Sequence, residues 1–386
     1  MNNILKYTKG DRAIWLVVLF LAIISTLVVY TSITSLAYRH HDGNTFYYLF
    51  RHSTFLIIGL GIMYGIHRIK YSYFSRVAQL ALYISVPLLI LTLLIGSNLN
   101  NASRWLVIPV INQSFQTSDL AKLSLIMYVA RILSIRQDVI KDFKKAFVPI
   151  VLPIFAVCGL IFPANFSTAA VLFTVCLVLM FIGRISLKHI GAMIGSGIVA
   201  IGLAFLLAMS VPGLLPRIDT WIARIENFSS ADSKGNYQAE QSKIAVATGG
   251  ITGKGPGKST QRNFLPHPYS DFIYAIVLEE YGLIGGITVL MLYLILLYRA
   301  VRIVVKSPKA FGALLAVGIA FMLVFQAMIN MAVAVNLFPV TGQPLPMVSM
   351  GGTSIWFTCI AIGIILSVSR GVEDESTLNR MAHAKI

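Results

Sequence analysis

The chain has 386 residues, 57% of them hydrophobic and only 12% charged, with a mean hydropathy of +0.78. Soluble domains carry about 25% charged residues, so a water-soluble fold is excluded and a membrane must be the solvent. The formal charge of +16 does not indicate a nucleic-acid partner, because the Lys and Arg residues sit in short clusters between apolar runs, without a basic surface interleaved with aromatics.

Lys6, Lys9 and Arg12 precede a first apolar run, residues 13–37, that is too long for the core of a cleaved signal peptide and reads as a retained helix. A bilayer core needs about 20 apolar residues per crossing, fewer where a protein-lined cavity intervenes. Nine further runs follow, at 53–66, 77–95, 120–133, 147–162, 168–182, 190–211, 272–297, 310–335 and 355–368. The pattern predicts an all-α polytopic membrane protein of about ten transmembrane helices, built as one membrane domain over residues 1–386. Of the 31 basic residues, 20 fall in the connections on the side of the N-terminus, 7 in the long segment 212–270 and only three in the short loops opposite. Long loops weigh little in topology, so both termini are placed in the cytoplasm and 212–270 becomes a large extracytoplasmic loop between helices 7 and 8. Cys158, Cys176 and Cys359 lie inside apolar runs without CxxC or Cys/His spacing, which points to packing rather than a disulfide frame or a zinc site.

Several polar residues stand out. Arg104 beside Trp105 places a cation next to an interfacial aromatic, and guanidinium suits a phosphate. Asp119 and Lys122, three apart, share a face of the fourth helix; they either bridge each other as a dipole-favoured pair or line a polar cavity. Glycines 249, 250, 253, 255 and 257 imply turns and close backbone approach. The stretch 252–259 approaches a phosphate-binding P-loop, but Thr252 replaces the first Gly, Pro256 removes an amide and no strand precedes it, so an ATPase is rejected. Asp271 opens the eighth helix after Ser270; spacing alone leaves it as a helix cap or a catalytic carboxylate. Glu279 and Glu280 lie roughly 12 Å deeper and require a cation, a shared proton or water. Residues 336–352, with Gly351 and Gly352 at their end, are too rich in Pro and Gly for a helix and must be buried or line a cavity. Asn-x-Ser sequons at Asn101, Asn112, Asn165 and Asn227 carry no assigned function.

Arg104-Trp105, the stretch 116–122 from Gln116 to Lys122, 265–272, Glu279-Glu280-Tyr281-Gly282 and 341–352 together resemble the SEDS family, the FtsW and RodA peptidoglycan glycosyltransferases of bacteria. The resemblance implies a ten-helix polymerase in the cytoplasmic (inner) membrane. Such an enzyme joins the disaccharides of lipid II by β-1,4 bonds on the outer face, with inversion. The family's essential carboxylate falls on Asp271, as catalytic base. Arg104, Asp119, Lys122, Lys258, Gln261 and Ser270 become substrate-binding candidates, and Glu279, Glu280, Gly351 and Gly352 structural or cavity-lining ones.

A pyrophosphate leaves without protonation when its charge is stabilised, so one base and nearby cations suffice where glycosidases need two carboxylates. No cofactor is assigned with certainty; a divalent cation, Mg or Mn, on the pyrophosphate is left open, with no metal ligands assigned. The family's usual Pro-Glu-Ala-His-Thr-Asp is here Pro266-His267-Pro268-Tyr269-Ser270-Asp271, and its Gln-Pro-Asp-Leu-Gly-Thr is 163–168, so roles tied to the missing Glu, His and Asp do not transfer. Residues 255–261 look more like the division branch, FtsW, than the elongation branch, RodA. The implied partners are a class B penicillin-binding protein (transpeptidase) and other divisome or elongasome membrane proteins. A lipid II flippase and a non-enzymatic scaffold recruiting that transpeptidase are the alternatives.

Overall fold

The computed structural model describes residues 9–34, 36, 44–99, 102–108, 113–210, 217–229 and 237–383. Lys6, the sequons at Asn101 and Asn112, the end of the first expected run at 37 and the start of the long connection at 211–216 lie outside them. All ten apolar runs form helices, and the protein is a polytopic helical membrane protein. Among the described residues eight helices are long and apolar enough to cross a membrane.

Two compact units are interleaved along the chain, one from Met1–Arg68, Arg224–Ala300 and Leu323–Leu366, the other from Ile69–Ala223, Val301–Met322 and Ser367–Ile386. The first unit begins with α1, Arg12–Ser32, and α2, Thr45–Arg68. Asp11 caps α1, its Oδ1 accepting from the amides of Ala13 (2.9 Å) and Ile14 (3.4 Å). The same carboxylate receives Arg299, with Nη2 to Oδ2 at 2.6 Å, so one side chain both starts the helix and ties it to a later span.

The second unit contains α3, Ser72–Ile95, and then a three-stranded antiparallel sheet in the order β1 (Ser97–Leu99), β2 (Ala102–Ile108), β3 (Gln113–Gln116). An all-α reading does not foresee this sheet; Trp105, Val107 and Ile108 supply the aromatic and β-branched residues that favour it. Four helices follow: α4, Thr117–Ile135; α5, Val148–Ile161; α6, Phe166–Ile182; and α7, Leu187–Ser210. The Thr92 and Thr117 hydroxyls, 2.9 Å apart, join the adjacent ends of α3 and α4. Of these helices α6 has only 17 residues, and α4 carries the charges of Asp119, Lys122 and Arg131.

The long connection, expected only as a polar loop, contains two helices, α8 (Ile218–Ser229) and α9 (Tyr237–Gly249). It leads into α10, Ile273–Lys306, α11, Ala310–Ala334, and α12, Thr353–His383. α10 is broken at Gly282, whose φ of 65° and ψ of −165° are not helical. The backbone groups released there are taken up by the loop after α9. Lys254 N and Gly255 N donate to the carbonyls of Glu279 (3.0 Å) and Glu280 (2.9 Å), while Leu283 N and Ile284 N donate to Gly250 O (3.0 Å) and Ile251 O (3.2 Å). A helix broken at membrane depth must have its backbone groups re-satisfied, and this loop does so. The contact needs glycine on both sides: a Cβ on Gly253 would fall 2.2 Å from Glu280 O, and one on Gly282 would fall 2.3 Å from Ile251 O.

Candidate functional site

In the first unit the segment 265–272 returns from the loop to the head of α10, and Asp271 lies in the turn two residues before the helix begins. Its carboxylate is half-buried. Oδ1 accepts the Ser270 hydroxyl at 2.9 Å. The Asp271 carbonyl accepts from Asn330 Nδ2 at 2.8 Å, and the same amide reaches Gln343 O at 2.8 Å. Behind it, Ser349 Oγ donates to Ser270 O (2.7 Å) and Met350 N to Tyr269 O (2.9 Å). The Pro- and Gly-rich segment before α12 is therefore a scaffold for residues 269–271. Gly351 and Gly352 end that segment, Gly352 in the left-handed region at φ 52°.

Burial pushes the Asp271 carboxyl above its ordinary value, and the Ser270 hydrogen bond and the charges of His267 and Arg224 pull it back. Arg224, half-buried on α8, feels the Asp271 charge in return. A carboxylate with one hydroxyl donor and a guanidinium in its field can take a proton and steady an adjacent anion.

Eight residues further on, Glu279 is fully buried and saturated. Oε1 accepts Lys254 Nζ at 2.6 Å, Thr260 N at 3.1 Å and Thr260 Oγ1 at 2.9 Å, while Oε2 accepts Gln261 N at 3.2 Å and the Ser259 hydroxyl. The cation this residue required is Lys254, and its role is to fasten the loop to α10. Glu280, also buried, accepts Thr31 Oγ1 at 3.0 Å on Oε2, and Arg262 Nη1 donates to Thr31 O at 3.2 Å. Lys258 is exposed, and Gln261 is buried beside Glu279 through its backbone.

The second unit holds the other candidates. Lys122 Nζ and Asp119 Oδ1 are 2.8 Å apart and both residues are buried, while Asp119 Oδ2 has no hydrogen-bond partner. The pair thus bridges and also leaves a polar atom inside the protein. Arg104 Nε donates to Ala164 O at 2.8 Å, and Arg217 Nη1 reaches the same oxygen at 3.1 Å. Arg104, Gln116, Ser118 and Asn165 share a cavity of about 20 Å³, the size of one water.

A divalent cation finds a poor set of donors at Asp271. No group of three or more His, Cys, Asp or Glu side chains occurs among the described residues, and Asp271 is accompanied by a guanidinium and a histidine rather than by further carboxylates.

The chain is a polytopic helical membrane protein with a carboxylate, Asp271, on a segment that returns to the head of a broken helix. The family of FtsW, RodA and SpoVE, described as "Cell cycle protein", matches residues 11–374, and the chain belongs to it. Stage V sporulation protein E of Bacillus subtilis (strain 168) is 33% identical over 371 residues, covering 95% of this chain and 98% of that one. The probable peptidoglycan glycosyltransferase FtsW of Trichlorobacter lovleyi is 33% identical over 373 residues, covering 95% of each. Among solved structures, the Thermus thermophilus rod shape determining protein RodA matches with a TM-score of 0.65 at 24% identity, over 94% of this chain and 97% of that one. A chain of a peptidoglycan synthase complex matches with 0.73 at 22% identity, over 94% and 98%. These two likenesses show the fold.

Sequence reasoning passed over Arg224 and Asn330. Asn330 had a signal: with Gln326 it forms a polar pair one turn apart inside an apolar run, and Gln326 likewise holds Pro344 O at 3.0 Å. Arg224 had only its place in the long connection, and nothing in its neighbours marks it as facing Asp271.

Proposed function

We propose that this protein is a peptidoglycan glycosyltransferase that polymerises lipid II into β-1,4-linked glycan on the outer face of the bacterial cytoplasmic membrane. The observation that carries the reading is Asp271, a half-buried carboxylate fixed by Ser270 and Asn330, with Arg224 in its electrostatic field. Relatives at about a third identity over nearly the whole chain bear the name probable peptidoglycan glycosyltransferase FtsW, which supports this activity and favours a septal role over elongation.

In this mechanism Asp271 accepts the proton of the acceptor's 4-hydroxyl as that oxygen attacks the anomeric carbon of the donor. The bond to the pyrophosphate breaks on the opposite face, which turns an α-linked donor into a β product. Arg224 favours the ionised, proton-accepting form of Asp271. Arg104 and Lys122, the latter paired with Asp119, are proposed phosphate-binding residues. No step is routed through a metal. The surplus of basic residues on the side of the termini supports the outward orientation of the long connection, and a class B penicillin-binding protein is the proposed partner.

The test is polymerisation of lipid II by the purified full chain in detergent, with and without the transpeptidase. Glycan strands from the wild type and none from a folded Asp271→Asn variant are expected. Wild-type rates from that variant would remove Asp271 as base, and a folded wild type inert under every condition would favour a scaffold.

A further inference from the structure

A buried imidazole on α2 has no part in the mechanism above. His52 is 1% exposed and Ser25, facing it from α1, is 0% exposed. Ser25 Oγ lies 2.9 Å from His52 Nε2 and 2.9 Å from Val348 O. A hydroxyl has one proton, and the Val348 carbonyl can only accept, so Ser25 donates to Val348. His52 must then donate from Nε2 to the Ser25 oxygen. This fixes the neutral tautomer protonated on Nε2 and leaves Nδ1 as a bare lone pair, which has no partner in its buried surroundings.

Val348 belongs to the tight turn that supports the carboxylate. Val348 N and Ser349 N both donate to Leu345 O, at 3.2 and 2.9 Å, and Leu345 N donates to Ser349 Oγ at 2.8 Å. That Ser349 hydroxyl passes its own proton to Ser270 O at 2.7 Å. The buried Tyr293 hydroxyl holds the same turn at Pro346 O. One directed series of hydrogen bonds therefore runs from His52 through Ser25 to Val348, and the turn it anchors delivers Ser349 to the residue before Asp271. All of these groups belong to one unit.

We propose that His52 and Ser25 are positioning residues for Asp271, setting where its carboxylate points by fixing the 345–350 turn from within the membrane. The proposal rests on the reading of Asp271 as base. Since a misplacement of about 1 Å at a reacting group costs on the order of a hundredfold in rate, loss of this anchor acts on turnover rather than on donor binding. The pair has the form of a conformational anchor because a protonated imidazole would put a second, unpartnered N–H into the same buried site.

The experiment measures kcat and KM for lipid II with the full chain carrying Ser25→Ala, His52→Leu, His52→Gln or both Ser25→Ala and His52→Leu, beside Asp271→Asn. Ser25→Ala and His52→Leu are expected to lower kcat roughly tenfold with KM unchanged, and the double variant to be no slower than either single one. His52→Gln, whose amide nitrogen can stand in for Nε2, is expected within about threefold of wild type, which a loss of packing would not restore. Should His52→Leu fail to fold, Ser25→Ala and His52→Gln decide the matter. Unchanged kcat in folded Ser25→Ala, a rise in KM alone, or Gln as slow as Leu would each overturn the proposal. If Asp271→Asn also polymerises normally, the base assignment itself falls; if only the Ser25 and His52 variants are normal, the positioning role alone falls.

Discussion

Replacing Gly282 by alanine tests how firmly the broken helix is stitched to its loop. At φ 65° and ψ −165° a Cβ costs about 1–3 kcal/mol in backbone strain. The new atom would also sit 2.3 Å from Ile251 O and 2.4 Å from Gly253 N. Both are backbone atoms, so no rotamer change relieves the overlap and the loop must withdraw. Withdrawal forfeits the four backbone hydrogen bonds between 250–255 and 279–284, at about 1 kcal/mol each. Partial re-formation of helical bonds in α10 offsets some of this, leaving an expected loss of about 3–6 kcal/mol. Thermal unfolding of the detergent-solubilised chain should show the midpoint falling by several degrees, with faster proteolysis within 249–265. Gly61→Ala is the control: Gly61 lies in α2 and its Cβ would meet nothing within 4 Å, so the helix should be unchanged or slightly firmer. A Gly282→Ala protein as stable and protease-resistant as Gly61→Ala would refute the stitched-helix account.

Glu279→Gln should loosen the same loop by about 2–4 kcal/mol, since it strands Lys254 and turns an amide donor toward groups that already donate; hydrogen exchange of residues 254–261 would report it. Ser270→Ala removes a bond that favours the charged carboxylate, so the Asp271 carboxyl rises further and the acidic limb of the pH–rate profile should move to higher pH; a limb that stays put or moves down contradicts the assignment. Asp271→Asn should abolish polymerisation yet melt higher at about pH 8. The sign follows from burial: a carboxyl raised in the folded state contributes stability that is present below its unfolded value and lost as pH rises through the folded one, a loss the neutral amide escapes. The gain should vanish by about pH 4, as differential scanning fluorimetry at the two pH values would show.

The helices were legible because membrane burial imposes a one-dimensional signal: each of the ten apolar runs became a helix. The strands at 97–99, 102–108 and 113–116 were not, since hydropathy separates spans from connections but does not tell strand from loop within a connection. Nor was the break at Gly282, which sits inside an apolar run and is dictated by a loop some thirty residues earlier that must approach backbone to backbone. The glycines at 249–257 advertised a close approach but not its target. At the candidate site, charge in apolar surroundings singled out Asp119, Lys122, Asp271, Glu279 and Glu280. Their partners came from distant stretches: Lys254 for Glu279, Thr31 for Glu280, Asn330 for the backbone of Asp271. His52 lies one residue outside its apolar run and drew no attention as a charge in apolar surroundings.

The break in α10 also changes what counts as a mechanical unit. Residues 273–281 are continuous in sequence with the span that follows, but one end is bonded to Lys254 and Gly255 and the other follows Asp271 by two residues. The span beyond Gly282 is bonded to the same loop at Gly250 O and Ile251 O, so its tilt or rotation reaches the half-helix through the loop and not along a continuous helix. In a chimera between two relatives, the natural exchangeable piece is therefore the cassette from Gly249 to Ile284, which holds both sides of the clasp. A cut at the start of α10 would separate Asp271 and the clasping loop from the half-helix they adjoin.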